Sequence, residues 1–484
     1  MIQRISYLFR STKGLVLVAI AMISLATAFF GMLSGPMAEF GIRDFMVRTF
    51  AMDLNAMQRE GRLIILYHSL AMAVVAIETY FITSLLPMKA SEQVRINGTI
   101  TVGYLCAMIF GLAFAYWGHI WLFHGLFIFG LCLEFFAGVL LAAALWPWRK
   151  EARVTPDGEH ATTKSGVSLE RVAFFAVAVS TLISVFFGAI PGAYFGNGFE
   201  SFLAEDVIRT PEKTPMELAV IGHLHIMLAL IAVAIVLIVG RWLDFNGKWQ
   251  KAAMPLMTIG SVVLSMGAWF VVPFERIAHV IIYIGSGFVM LAALFLVIFG
   301  WGKLIREGTQ GLPKATFIQK LAALLRDPLK FGALWQMVFM NFVVSGVGIF
   351  MAVRLDKIIR VWPWREERIT LTGHWHILGA LIATIILMVY GDLTGLKGRA
   401  RQLFGWGILF FSDLAFAAVT LFETKRLYVS ESTQQPLANL TMLLGDIGLA
   451  SVLVILAILM IWRLADLFKK DGLWAKEMAE EGPK

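Results

Sequence analysis

The sequence predicts an all-α polytopic membrane protein with about twelve transmembrane helices. Hydrophobic residues make up 59% of the 484 residues, charged residues only 15%, and the mean hydropathy is +0.77. Because a soluble domain of ordinary composition has about 25% charged residues, this composition requires lipid as the solvent. Uncharged runs of about 20 residues, enough to cross roughly 30 Å of hydrocarbon, recur from residue 15 to the end of the chain.

The apolar runs define twelve spans in order. They cover approximately residues 15–35, 63–86, 98–118, 120–146, 170–190, 217–240, 253–273, 278–301, 333–353, 369–391, 402–422 and 440–462. We expect three four-helix units, at approximately 15–146, 170–301 and 333–464. The connection 302–332 alternates apolar residues such as Phe317 and Leu321 with basic ones such as Lys320, which predicts an amphipathic helix on the cytoplasmic lipid surface.

The distribution of positive charge predicts the orientation of the chain. The side that carries both termini has roughly 27 Lys and Arg residues against roughly 14 on the other side, and the richer side is the cytoplasmic one. Both termini are therefore expected in the cytoplasm, with the chain in the inner membrane of a bacterium or archaeon. The same loops explain the net charge of +8, so no nucleic acid partner is expected.

The cysteine content excludes two classes of protein. Cys106 and Cys132 are the two cysteines, and both lie in apolar runs. Without a C-x-x-C-H motif, covalent attachment of heme is excluded, and a disulfide framework is not expected.

A histidine motif recurs on the second, sixth and tenth predicted spans. Its two strong copies align without a gap, and a weaker third copy has a single histidine; the copies are residues 217–230, 368–381 and 62–73. The five histidines of the motif are His68, His223, His225, His374 and His376. The spacing of four spans between copies predicts a pseudo-threefold arrangement, with all five histidines in the outer half of the membrane.

The spacing within each pair predicts what the histidines do. An ionisable side chain inside a bilayer indicates function by default, although hydrogen bonding to a neighbouring helix is the alternative for each one. Residues i and i+2 point about 200° apart around a helix, so the two rings of a pair serve two different cofactors. Heme is the expected cofactor, because imidazole is its common axial ligand and a planar macrocycle fits between packed helices.

These residues resemble subunit I of the heme-copper oxidase superfamily, which includes the nitric oxide reductases. The resemblance lies in the twelve helices, in His68 on the second and in Gly-His-Trp-His at 373–376 on the tenth. It implies a low-spin heme between His68 and His376 and a second heme on His374. Lys425 and Arg426, between the last two spans, resemble the basic pair that holds the heme propionates, with ordinary loop charge as the alternative.

The copper site of that family is not reproduced in this sequence. The family holds copper, or iron in the nitric oxide reductases, with one histidine of the sixth helix and two adjacent histidines of the seventh. His223 matches the first of these, but the seventh span ends in Trp-Phe-Val-Val-Pro-Phe at 269–274 and has no histidine. Met227 stands where the family has a tyrosine. We therefore expect neither copper nor oxygen reduction with proton pumping.

The repeat predicts a partner for the second heme. If His68 pairs with His376, one rotation about the pseudo-threefold axis pairs His374 with His225. His223 is then left over, either as a hydrogen-bonding neighbour of the site or as the single ligand of a third heme or metal. The prediction is two six-coordinate b hemes, and a six-coordinate iron has no open position for a gas.

The leading hypothesis from the sequence is a membrane cytochrome b that transfers electrons within a respiratory complex of several subunits. A c-type cytochrome or an iron-sulfur subunit is expected on the outer face, because both hemes lie near it, and quinone is the expected partner within the lipid. One alternative is a terminal oxygen or nitric oxide reductase whose unusual metal site recruits His223, Glu275 or His279.

A proton-coupled transporter with histidines on its proton path is the second alternative. Three copies of a four-helix unit disfavour it, because transporters more often double an inverted unit. Glu78 and Glu134 are carboxylates within apolar spans. Three roles are open for each of them: relaying protons, binding quinol, or hydrogen bonding to a neighbouring helix.

Overall fold

The computed structural model describes residues 1–34, 38, 40–199, 212–312, 314–354, 361 and 364–481, and in this part of the chain the regular structure is helical apart from one isolated bridge between Thr162 and Ser168. Eleven described helices are long and apolar enough to cross a membrane. The prediction of an all-α polytopic membrane protein is confirmed at this level.

The spanning helices lie close to the predicted spans. The first to sixth are Thr12–Ser34, Arg59–Leu85, Ala90–Trp117, Trp121–Leu145, Leu169–Tyr194 and Pro215–Trp242. The long helix Gly247–Gly308 follows, and after it come a ninth span from Pro328 to Arg354, a tenth at Trp364–Leu393, an eleventh at Gly398–Thr424 and a twelfth at Glu431–Leu467.

The long helix Gly247–Gly308 contains the seventh and eighth spans. Its backbone leaves the helical region at Phe274 (φ −145°, ψ 57°), next to Pro273, which has no N–H to donate to the preceding turn. A side chain on Gly260 would meet the carbonyl of Gly285 at 3.1 Å, and one on Gly267 would meet that of Ala278 at 3.2 Å. These contacts pair the two halves in antiparallel order, so the helix folds back on itself and crosses twice.

The ninth span changes its helical geometry in the middle. It runs as an α-helix over Pro328–Val338, as a π-helix over Phe339–Val344 and again as an α-helix over Ser345–Arg354. A π-helical turn widens the helix by one residue and is frequent at functional sites.

Several short helices lie outside the spans. They are Ile2–Arg10, Ile42–Thr49, Phe317–Leu324 and Leu473–Glu481, with 3₁₀ turns at Ala56–Gln58, Lys150–Ala152, Gly196–Gly198 and Lys425–Leu427. Phe317–Leu324 forms where the amphipathic helix was expected, and its residues Phe317 and Ile318 are 80% and 76% exposed. Its contact with lipid remains a prediction.

The two ends of the chain meet at one end of the helical bundle. The hydroxyl of Tyr7 donates to Glu477 Oε2 (2.6 Å), and Arg463 of the twelfth span donates to the same oxygen (2.7 Å). The backbone N–H of Thr12 donates to Glu481 Oε2 (2.7 Å). Both terminal helices therefore lie on one face, called the terminal face below; its assignment to the cytoplasm remains a prediction.

The second, sixth and tenth spans come together at the terminal face. The sixth span packs against the second, fifth, seventh and tenth, so it is central in the bundle. At its end, Arg241 Nε donates to the carbonyl of Leu85 (3.2 Å), and Trp242 Nε1 donates to Asp392 Oδ2 (2.7 Å). These bonds tie the sixth span to the ends of the second and tenth. The pseudo-threefold, oxidase-like arrangement of the units remains a prediction.

Candidate cofactor site

The three central helices are packed tightly in one half and loosely in the other. Every residue is buried over 76–83 of the second span, 233–240 of the sixth and 384–390 of the tenth. Because seven or eight successive residues cover all sides of an α-helix, each helix is enclosed by protein there. The histidines lie two to three turns earlier, where His225 and His376 are exposed and His68, His223 and His374 are half-buried. Space between the central helices is therefore concentrated around the histidines.

The structure brings His225 and His374 together, as the repeat predicts. Their ring centres are 6.4 Å apart, and the ring planes make an angle of 36°. The Trp375 ring lies 5.5 Å from His225 and 5.4 Å from His374, so it contacts both members of the pair.

His68 lies opposite His223, whereas the resemblance implies His376 as its partner. The two ring centres are 6.3 Å apart, and the planes are within 12° of parallel. His376 instead lies beside Tyr67, whose hydroxyl is 3.2 Å from His376 Nε2. His223, which the sequence leaves over, is thus one of a pair.

Backbone hydrogen bonds fix the tautomer of three of these rings. Nδ1 of His68 is 2.8 Å from the carbonyl of Ile64, and Nδ1 of His225 is 2.8 Å from that of Ile221. Nδ1 of His223 is 3.0 Å from the carbonyl of Ser184 on the fifth span. Because a carbonyl can only accept, Nδ1 is the donor in each bond and Nε2 of the neutral ring keeps its lone pair. This is the usual arrangement of a metal-ligating histidine.

The spacing of both pairs fits an ion bound between the rings. Metal–nitrogen bonds of about 2.0–2.1 Å on either side of one ion put two imidazole centres roughly 6–6.5 Å apart. Both observed separations, 6.3 and 6.4 Å, lie in that range. In the described part of the chain, no group of three or more His, Cys, Asp or Glu side chains could hold a metal ion, so two-ligand sites are what these histidines offer.

The fifth span makes room for His223. A side chain on Gly188 would lie 2.5–2.6 Å from the nitrogens of the His223 ring, which therefore lies directly against the Gly188 backbone. Neither Gly188 nor Ser184 was predicted, because they lie on the fifth span, whereas the histidine motif lies on the sixth. A glycine inside an apolar helix is the signal that was available.

The basic pair directly follows the eleventh span, in the 3₁₀ turn Lys425–Leu427. Lys425 is only 4% exposed; its Nζ donates to the carbonyl of Phe422 (3.3 Å) and lies 4.2 Å from the Phe422 ring centre. Arg426, in the same 3₁₀ turn, is half-buried. The carboxylate of Glu423, missed in the sequence, fills the place that a side chain on Gly373 would take.

A small cavity adjoins His374. The space open to the centre of a water molecule is about 10 Å³, and the cavity is lined by Val343, Val344, Val347, His374, Ile377, Thr420 and Glu423. This is room for about one water molecule, so the cavity is too small for a separate cofactor. It extends the space next to His374 toward the π-helical turn of the ninth span.

Among the described residues, the side chains of the alternative metal site, His223, Glu275 and His279, do not form a group that could hold a metal ion. His279 Nδ1 donates to the carbonyl of Glu275 (2.9 Å) within its own helix, and its ring lies 6.4 Å from that of Tyr283. His223 is engaged with His68 and Ser184.

No family model, curated protein or solved structure matches this chain. The resemblance to the heme-copper oxidases therefore stays a prediction that rests on a few short motifs, and function has to be argued from the geometry of the site.

Proposed function

We propose that this chain is a membrane cytochrome b that holds two hemes, one between His68 and His223 and one between His225 and His374. The observation that carries the proposal is the spacing of two separate imidazole pairs at 6.3 and 6.4 Å inside a membrane bundle. Heme bound there would supply reversible one-electron chemistry.

The protein residues orient and enclose such a group. Backbone carbonyls hold His68, His223 and His225 with Nε2 as the ligating atom, which also makes the imidazole more basic. With both imidazoles of a pair bound to one heme iron, no position would be left for oxygen or nitric oxide, and the chain would transfer electrons instead of reducing a gas. Lys425 and Arg426 are the candidate partners of the propionates.

The position of the site suggests the partners. The histidines lie in the half of the bundle away from the terminal face, so we propose that electrons are exchanged with a c-type cytochrome or an iron-sulfur subunit on that opposite face. The quinone pool is the proposed second partner, within a respiratory complex that includes other subunits.

The first experiment measures heme in the purified full-length protein. A reduced-minus-oxidised spectrum with pyridine hemochrome quantification should give two b hemes per chain, and magnetic circular dichroism should show both as low-spin and bis-imidazole. A protein without heme would exclude the proposal. Rapid binding of carbon monoxide to the reduced wild-type protein would instead support the reductase alternative.

The second experiment decides the pairing. His223→Ala should open one heme to carbon monoxide, whereas His376→Ala should leave both hemes closed. The reverse result would favour the pairing of His68 with His376 that the resemblance implies. His160→Ala is the matched control, because its ring pairs with Asp157 in the connection between the fourth and fifth spans, and the substitution should leave both hemes unchanged.

A further inference from the structure

A carboxylate lies near the middle of the eleventh span without a cation beside it. Asp413 is half-buried, and residues 402–424 of its own helix contain no Lys, Arg or His. Among the described residues of the neighbouring helices, none forms an ion pair with it, and its hydrogen-bond partners are neutral. Because an unpaired carboxylate within the hydrocarbon region is costly, it indicates a function by default.

Two side chains of the ninth span hold the Asp413 carboxylate. Trp335 Nε1 donates to Oδ2 and Gln336 Nε2 donates to Oδ1, each at 2.8 Å. Since both oxygens accept an N–H, the geometry is that of the ionised form, which can only accept. A carboxylate has about four positions for hydrogen-bond donors, so further positions are left for a ligand that donates.

The polar side chains around this carboxylate offer more acceptors than donors. Gln336 is 0% exposed, and its Oε1 is buried without a partner among the described residues. Its Nε2 also donates to the hydroxyl of Ser412 (3.1 Å), which in turn donates to the carbonyl of Leu409 (3.0 Å). Asp413, Gln336 and Ser412 are called the acceptor cluster below. Because its donors are all used while acceptor positions remain, a molecule that binds there has to donate.

Aromatic rings of the ninth and eleventh spans frame the acceptor cluster. On the side of the terminal face, the Phe331 ring lies 6.0 Å from that of Trp406 and 6.3 Å from that of Trp335. On the other side, the rings of Phe339 and Phe416 are 6.1 Å apart. Trp335 lies between these contacts and is 38% exposed. The result is a groove on the side of the bundle, called the lateral groove below, with aromatic walls and the carboxylate at its centre.

The depth of the lateral groove restricts what can bind there. Asp413 lies near the middle of Gly398–Thr424, whereas lipid headgroups lie at the two surfaces of about 30 Å of hydrocarbon. A lipid-soluble molecule with a flat ring and a neutral hydroxyl group fits the depth, the aromatic walls and the surplus of acceptors. Its ring packs between aromatic side chains, and its hydroxyl donates to the carboxylate. A quinol has this chemistry.

The lateral groove lies near the second histidine pair. Thr420 lines the small cavity next to His374, and Asp413 precedes Thr420 by seven residues on the same helix. Seven residues correspond to two turns, or about 10 Å along the helix axis. A quinol bound at Asp413 would therefore lie near the heme proposed between His225 and His374.

We propose that the lateral groove is a quinol-binding site in which one hydroxyl of the reduced ring donates to the Asp413 carboxylate. The site prefers the reduced form, because the oxidised ring has carbonyl groups, which only accept, and would place an oxygen against the carboxylate. The proposal deepens the assignment of the quinone pool as a partner and rests on that proposed function, although binding itself needs no heme.

Calorimetric titration of the purified full-length protein in lipid nanodiscs tests this preference. The probe is duroquinol, a tetramethyl quinol without a tail, kept reduced under argon, and its oxidised form duroquinone is the comparison. Duroquinol should bind at one site per chain and more tightly than duroquinone. Equal affinities, or no binding of duroquinol, would overturn the proposal.

A matched pair of substitutions tests the carboxylate. Asp413→Asn should weaken duroquinol binding roughly tenfold, which is the difference between a hydrogen bond to a charged acceptor and one to a neutral acceptor. It should also reduce the preference for duroquinol over duroquinone. Asp446→Asn makes the same change at an exposed carboxylate of the twelfth span and should leave the affinity unchanged. The same affinity in both variants would contradict the role of Asp413.

Photolabelling locates the bound quinol without any substitution. A quinol that carries a photoreactive diazirine should label peptides from residues 331–339 and 404–416, and an excess of duroquinol should prevent this labelling. Labelling confined to other parts of the chain would overturn the proposal. Neither readout uses heme. A protein without heme would therefore refute the cytochrome assignment alone, and a protein with heme whose lateral groove is not labelled would refute the quinol site alone.

Discussion

Gly188→Ala is a sharp test of the His223 ligand because it adds a single methyl group on a neighbouring helix. That methyl would lie 2.5–2.6 Å from the His223 ring nitrogens, where ordinary contacts begin at 3.4 Å, so the ring has to retreat by about 1 Å or tilt. Either movement lengthens the bond from Nδ1 to the Ser184 carbonyl, which is now 3.0 Å. Overpacking of this kind costs about 1–3 kcal/mol, and disturbing the groups that orient a ligand lowers metal affinity roughly 10–100-fold.

The assay follows both hemes in one sample. Gly188→Ala should leave one heme unchanged and make the other either substoichiometric by pyridine hemochrome or reactive with carbon monoxide in the reduced state. Gly287→Ala on the eighth span is the matched control, because nothing lies within 4 Å of its new methyl group. Each substitution favours the helix by about 1 kcal/mol, so helix propensity cancels in the comparison. Identical spectra of the two variants would refute the placement of His223 as a ligand.

Three further predictions concern the terminal face. Arg171→Gln should lower the stability toward denaturant in micelles by on the order of 3 kcal/mol, because Arg171 donates to carbonyls at the ends of both the second and the fourth span. Trp242→Phe should cost roughly 1.5–3 kcal/mol in the same assay by removing the bond to Asp392; an unchanged midpoint would contradict the tie between the sixth and tenth spans. The bond to Asp157 (2.6 Å) raises the pKa of His160 above its ordinary value. The stability from this pair is therefore complete below about pH 6.5 and is lost as the pH rises through the raised pKa. In the wild type, amide exchange in residues 157–161 should become faster over that pH range by more than the intrinsic exchange rate rises. In His160→Gln it should follow the intrinsic exchange rate alone.

The spans were predictable because hydrophobic length is a local property of the sequence. The predicted break between residues 273 and 278 coincides with the kink at Phe274. The helix ends were less predictable: the twelfth span was predicted at 440–462 and is observed at Glu431–Leu467. Polar residues such as Gln434 and Gln435 continue that helix beyond the apolar run, because an α-helix does not have to end where the hydrocarbon ends.

Only the part of the candidate site that follows from the sequence repeat was predictable. The contact of His225 with His374 was predicted by rotating the His68–His376 pair, which the resemblance implies, about the pseudo-threefold axis of the repeat. The contact of His68 with His223 does not follow, because it depends on how the second and sixth spans rotate and approach each other. The supporting residues Gly188 and Glu423 are set by contacts between helices far apart in the chain, and no period in the sequence records such contacts.

The tight halves of the central helices explain how packing far from the histidines helps to fix the spacing of their rings. Bonds from Arg241 and Trp242 join the sixth span to the second and tenth at the terminal face, and the enclosed stretch 233–240 holds its direction. The histidines lie about 12–25 Å farther along, at 1.5 Å per residue, within a length over which an α-helix stays nearly straight. The approach of the three helices at the level of the rings is therefore set in part by packing at the other end of the bundle. Binding sites built on such rigid elements are held more precisely than sites on loops. This is why substitutions near the histidines should change heme binding more than they change the stability of the bundle, whereas those at the terminal face should do both.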